Sequence, residues 1–125
     1  MTINEAITLA DQLKPNMMKT AVKVRFLNEI ENKVHREILM KHVHTEEEAI
    51  PPHYDNDTDQ GTVMLVPAPY DMLYVYWIMA KIDELNQEEE KFNNDWVRMK
   101  NEWDNFSDYY TQGHMPLTAK PHFLL

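Results

Sequence analysis

Two consecutive helical patterns between Pro67 and Tyr110 constrain this chain more than any other feature of it. The first, Pro67-Ala68-Pro69-Tyr70-Asp71-Met72-Leu73-Tyr74-Val75-Tyr76-Trp77-Ile78-Met79-Ala80, is apolar nearly all the way round and predicts a helix from Pro69 to about Leu85. The second sets Leu85, Phe92, Trp96, Met99, Trp103, Phe106 and Tyr110 at alternating steps of three and four, with Glu88 or Glu89 filling one place in the rhythm. Such spacing keeps one stripe of a helix facing a partner. A helix that is hydrophobic on every side has to be enclosed by other helices or by other subunits. The pattern predicts a chain built to pack and to assemble rather than to catalyse.

The first half adds two more helices. Thr2-Ile3-Asn4-Glu5 has the form of a capping box, which starts a helix of residues 3 to 13 with Ile3, Ala6, Ile7, Ala10 and Leu13 on its apolar face. Lys14-Pro15-Asn16 ends it, because proline disfavours helical geometry in the residue before it. A second helix is expected over residues 19–41, with Val22, Phe26, Leu27, Ile30, Val34 and Ile38 inward and Lys23, Glu29, Glu31, Lys33, Arg36 and Glu37 outward. Between residues 42 and 68 the periodicity fails, and Pro51-Pro52, the Asp55–Asp59 run and Gly61 mark an irregular connection. Within it Thr62–Val66 has the composition of one short strand, with no mate evident in the sequence and a neighbouring copy as one source of it. Asn86-Gln87 is expected to reverse the chain into a helical hairpin, and residues 111–125, punctuated by Gly113, Pro116 and Pro121, form an extended tail. The expected fold is all-α: an antiparallel bundle of about four helices in a single domain, residues 1–110, followed by that tail.

Composition excludes several chemistries. A chain of 125 residues is long enough for one domain and one core. Its two glycines, Gly61 and Gly113, form neither kind of glycine-rich phosphate loop. With no cysteine there is no disulfide, thiolate zinc site or cysteine nucleophile, and an intracellular soluble protein is expected. Met1 leads into a segment without the basic start and apolar core of a signal peptide, and Pro67, Pro69 and Asp71 break the longest apolar run before it can span a membrane. The net charge of −9 is uneven: residues 51–125 carry thirteen acidic and five basic side chains. That balance argues against gripping a phosphate backbone, which requires Lys and Arg to displace counterions.

The candidate sites are weak beside their structural readings. Asp55, Asp57 and Asp59 alternate like the start of a calcium loop, but Gln60 and Val66 stand where such a loop needs glycine and a bidentate glutamate, so a solvated acidic turn is expected. His35, His42, His44 and His53 lack the helical spacing of a metal motif and read as surface or helix-end residues. The only serine, Ser107, lies inside the aromatic helix, so no catalytic residue is assigned. The carboxylate pairs Glu88 with Asp95 and Asp104 with Asp108 read as exposed helix faces. No metal and no cofactor is expected. Tyr70, Tyr74, Trp77, Trp96, Trp103, Tyr110, Met115 and Phe123 are the candidate interface residues, since aromatic side chains among acids suit protein contacts better than base stacking.

Pro67–Trp77 followed by Met79-Ala80-Lys81-Ile82-Asp83 resembles a family of small phage and prophage proteins. The likeness extends to Thr2–Ile7, Asp11–Asn16, Asn93-Asn94 and the ending Tyr109-Tyr110 with His114-Met115-Pro116. The resemblance implies a structural protein of the head–tail joining region, similar to the helical head–tail connector or adaptor proteins that form a ring beneath the portal. It implies the portal and other neck or tail proteins as partners, a homo-oligomeric ring, no specific nucleic-acid binding, and a place in the virion after assembly in the host cytoplasm. On that reading loop 42–68 and tail 111–125 are the parts that reach neighbours. The alternative is a small intracellular regulator that binds one protein partner through its aromatic hairpin.

Overall fold

The computed structural model describes residues 1–117, and its architecture follows from how four apolar stripes close on one another. The elements are α1 (Ile3–Leu13), α2 (Thr20–Glu37), a short 3-10 turn (Leu39–Lys41), α3 (Met72–Leu85) and α4 (Glu89–Gly113). The all-α bundle expected from the sequence is the fold observed. The nearly all-apolar α3 is its centre: it packs most extensively on α4 and also against α1 and α2. Leu73, Tyr74, Val75, Trp77, Ile78, Ala80 and Ile82 are all buried as a result.

The capping box forms as the sequence predicts. Thr2 Oγ1 accepts from the Glu5 amide at 3.1 Å, and Glu5 Oε1 accepts from the Thr2 amide at 3.0 Å. These bonds hold the Glu5 carboxyl below the usual carboxylate range. Thr2→Ala is expected to lower stability by about 1 kcal/mol. An unchanged urea midpoint would show that the box contributes nothing here.

Several boundaries differ from the sequence reading. α2 ends at Glu37 and tightens into the 3-10 turn instead of running to Lys41. α3 begins at Met72, and Pro69 sits in the turn before it, where the Tyr70 amide bonds to Pro67 O at 3.0 Å. α4 continues past Tyr110 to Gly113, so the first three residues assigned to the tail are helical. At about 1.5 Å per residue, α4 is about 37 Å long. The hairpin between α3 and α4 is as expected: Gln87 takes a left-handed conformation at φ 59°, and the Glu88 amide returns to Asp83 O at 2.9 Å.

No strand forms among the described residues. Thr62–Val66 does find a mate, but within the chain: the Ile3 amide bonds to Thr62 O and the Met64 amide to Met1 O, both at 3.1 Å. A single bridge, Thr2 to Val63, is all the pairing that results. The connection 42–68 is laid onto the bundle, with Tyr54, Met64 and Val66 in the core. A second isolated bridge joins His42 to Pro116, and the Val43 amide bonds to Met115 O at 2.7 Å. The start of the tail is thereby tied to the end of the 3-10 turn.

Candidate functional site

The chemistry of this chain is concentrated in two buried polar clusters and one outward face, and the sequence reading anticipated only the last. The first cluster centres on Glu31. Val24, Leu27, Glu31, Val34 and Ile38 follow one another at steps of three or four, so Glu31 falls on the buried stripe of α2 and is fully enclosed. Assigning it to the outer face was wrong because the stripe runs through Val24, while Val22 is exposed. Glu31 Oε2 accepts from the Tyr54 hydroxyl at 2.7 Å and the Leu65 amide at 2.8 Å, and Oε1 accepts from the Tyr74 hydroxyl. Tyr74 Oη in turn accepts from the Val66 amide at 2.8 Å.

One carboxylate therefore anchors the middle and the later part of the connection, through Tyr54 and Leu65–Val66, to α2 and α3. Burial holds Glu31 above the usual carboxylate range although its three hydrogen bonds oppose the shift. Burial and the neighbouring Glu31 charge raise the Tyr54 and Tyr74 hydroxyls far beyond any physiological titration. The cluster itself is enclosed, with Glu31 and Tyr74 fully buried.

The second cluster lies where the end of α1 meets the α3–α4 hairpin. Lys14 Nζ is held by Asp83 Oδ1 and lies 3.2 Å from Asp95 Oδ2. Both aspartates are buried, and Asp83 Oδ2 has no hydrogen-bond partner among the described residues. Asp95 falls four residues before Met99, on the packed stripe of α4, where the sequence reading had placed Trp96; Asp95 is not part of an exposed face. Burial raises the Asp83 carboxyl to about 6, with Asp95 adding to the rise and Lys14 opposing it. Burial depresses Lys14, but its bonds to Asp83 and Asp95 carry it above its ordinary value. Beside them lies an open cleft of about 420 Å³, lined by residues including Lys14, Met79, Asn86, Asp95 and Arg98. Lys23, also expected outside, is buried and paired with Asp11 at 2.7 Å.

The outward face is on α4. The candidate interface residues divide according to their burial. Tyr74 and Trp77 on α3 and Tyr110 on α4 are enclosed by the chain's own core and are not available as a surface. Tyr110 stacks on His114 at 3.7 Å, with His42 edge-on at 5.1 Å. Tyr70 is half-buried against Phe106 and Tyr109. Trp103 is half-buried, whereas Trp96 is 38% and Met115 65% exposed. Phe123 lies outside the described residues. Trp96 stacks on Phe92 at 5.8 Å, contacts Trp77 at 6.0 Å and helps line a groove between α2 and α4 with Lys33, Lys100 and Trp103.

The histidines and the acidic run are dispersed. His35 bonds to Glu48 O at 2.8 Å, His42 to Ile38 O at 2.6 Å, and His53 to Asp55 at 3.2 Å. Asp55 and Asp59 accept from the amides of Asp57 and Gly61, so their carboxylates close turns. Among the described residues, no group of three histidine, aspartate or glutamate side chains is placed to hold a metal ion. No helix among them is long and apolar enough to cross a membrane. Comparison with known proteins adds nothing to this geometry: no family model, curated protein or solved structure matches the chain.

Proposed function

We propose that the chain is a structural subunit of a phage head–tail joining region, of the connector or adaptor kind, which assembles in a ring at the portal and helps join head to tail. The observation that carries an assembly role is the apolar area that α4 leaves exposed. After the core has closed, Trp96, Val97 and Tyr109 remain 38%, 56% and 50% exposed along one long helix. Aromatic residues left at a surface in this way favour protein contacts, where they supply large buried area at low entropic cost. The phage setting rests on the resemblance carried by Pro67–Asp83 and the matching segments at both ends of the chain.

Charge supports the same reading. Glu89, Glu90, Asp104 and Asp108 are exposed on α4. A ring whose lumen carries such carboxylates avoids the counterion-release attraction that would stall a passing duplex. The test is cosedimentation with portal rings of the same phage. Wild-type chain is expected to bind, and Trp96→Glu is expected to weaken binding about 30-fold, the scale of an interface hot spot, with its helical circular dichroism retained. Wild-type protein that fails to sediment with the portal would contradict the proposal.

A further inference from the structure

The cluster at the end of α1 contains one cation for two buried carboxylates, and this imbalance has a chemical consequence. We propose that Lys14, Asp83 and Asp95 form a proton-operated clasp, in which a proton shared by the two carboxyls joins α3 to α4 beside the Lys14 ammonium and its loss sets the two carboxylates against each other. Lys14 ends α1, Asp83 is on α3 and Asp95 is on α4, so each member belongs to a different helix. With the proton in place, Lys14 balances one negative charge and the orphaned Asp83 Oδ2 gains a hydrogen to share with its neighbour. Without it, the site holds two carboxylates against one ammonium and an oxygen with no donor. A buried, uncompensated charge of this kind is costly.

The surrounding charges do not remove the imbalance. From α4, Arg98 reaches Asp95 at 3.4 Å but is itself exposed, so water screens much of its effect. Glu88, at the start of α4, turns its carboxylate to Lys91 at 2.8 Å and offers only its backbone amide to the Asp83 carbonyl. From α3, Lys81 pairs with Glu84 and Glu29 rather than with Asp83. From α2, Lys23 pairs with Asp11. The upward displacement of the Asp83 carboxyl is in accord with this arrangement.

The sign follows from linkage. An acid held above its unfolded value binds its proton more tightly in the folded chain, so its stabilisation is full in acid and is lost as pH rises from about 4 through about 6. The clasp between α3 and α4 is therefore closed in mildly acidic solution and strained at neutral pH, when Lys14, one wall of the adjoining cleft, is left to hold two carboxylates that repel each other.

The experiment is thermal unfolding of the full chain and of Asp83→Asn between pH 4.5 and 8. Wild type is expected to lose about 5 °C or more of Tm, relative to the variant, as pH rises through 6. Asp83→Asn, whose site sets the single Asp95 carboxylate against Lys14, should match or exceed wild type at pH 7.5. A wild-type and variant Tm that run parallel across this range would overturn the proposal. Carbon-13 NMR of the aspartate carboxyls in the wild-type chain gives an answer that does not depend on the variant's folding. A resonance titrating near pH 6 that moves in Lys14→Met supports the clasp, and aspartates that all titrate near 4 rule it out.

Discussion

Replacing Glu31 by alanine is expected to lower stability by about 3–5 kcal/mol, the largest effect of any single polar substitution in this fold. The substitution removes the acceptor for the Tyr54 hydroxyl, the Tyr74 hydroxyl and the Leu65 amide at once. Each of these buried donors, left without a partner, costs about 1–3 kcal/mol, offset in part by relief from burying the carboxylate. For a chain of this size the loss corresponds to a fall in Tm of roughly 10–20 °C. The damage should centre on the connection, since Tyr54 and Leu65–Val66 lose their tie to α2 and α3. Amide exchange is therefore expected to accelerate first between residues 54 and 66. Glu31→Gln keeps the shape and one acceptor oxygen and is expected to cost less than half as much. A Glu31→Ala variant as stable as wild type would remove the carboxylate from its place as the anchor. Because burial raises this carboxyl, its contribution is greatest in acid and diminishes as pH rises above the usual glutamate range.

Trp77→Ala is the second large effect, expected at about 3–5 kcal/mol by urea unfolding. The indole is almost wholly buried, and its Nε1–H donates to Phe26 O at 2.8 Å, joining α3 to α2. Lys33 and Lys81 lie over its ring at 5.2 and 5.3 Å, closing it off from solvent. Trp77→Phe retains most of the volume and loses the hydrogen bond, so about 1–2 kcal/mol is expected. The comparison also bears on the interface. If Trp77 served chiefly as a contact for a partner, truncating it would leave the isolated chain's unfolding midpoint unchanged.

The elements that were legible in the sequence are those whose signal is local. The capping box at Thr2 and Glu5 sets the start of α1 by two hydrogen bonds across three residues, and the apolar run of α3 required enclosure whatever surrounded it. The turn at Asn86-Gln87 was readable for the same reason. The buried charges were not, because a carboxylate on a stripe is indistinguishable by type from one beside it. Glu31 is inward because the buried stripe of α2 is wide enough to take it beside Ile30, and Asp95 because it turns in where Trp96 turns out; both are set by which neighbours α2 and α4 meet. Asp83 follows Ile82 at the end of an apolar run, yet its partner Lys14 is 69 residues away. The mate of Thr62–Val66 was hidden likewise, since pairing with Met1–Ile3 depends on the bundle bringing the two segments together.

The aromatic surplus that suggested assembly is smaller in the fold than in the sequence. Tyr74, Trp77 and Tyr110 are consumed by the chain's own core, which leaves Trp96 beside the half-buried Trp103 on one side of α4 and Val97 and Tyr109 exposed on other sides of it. The two polar clusters then have a structural sense. Glu31 fixes the connection, and Lys14 with Asp83 and Asp95 fixes the hairpin that presents α4.

Native mass spectrometry of the full chain, alone and mixed with the portal protein of its own phage, tests the connector reading most directly. A discrete complex with an integral number of chains per portal ring, lost on Trp96→Glu, is the result expected. A chain that stays monomeric in both samples and adds no mass to the portal would contradict it.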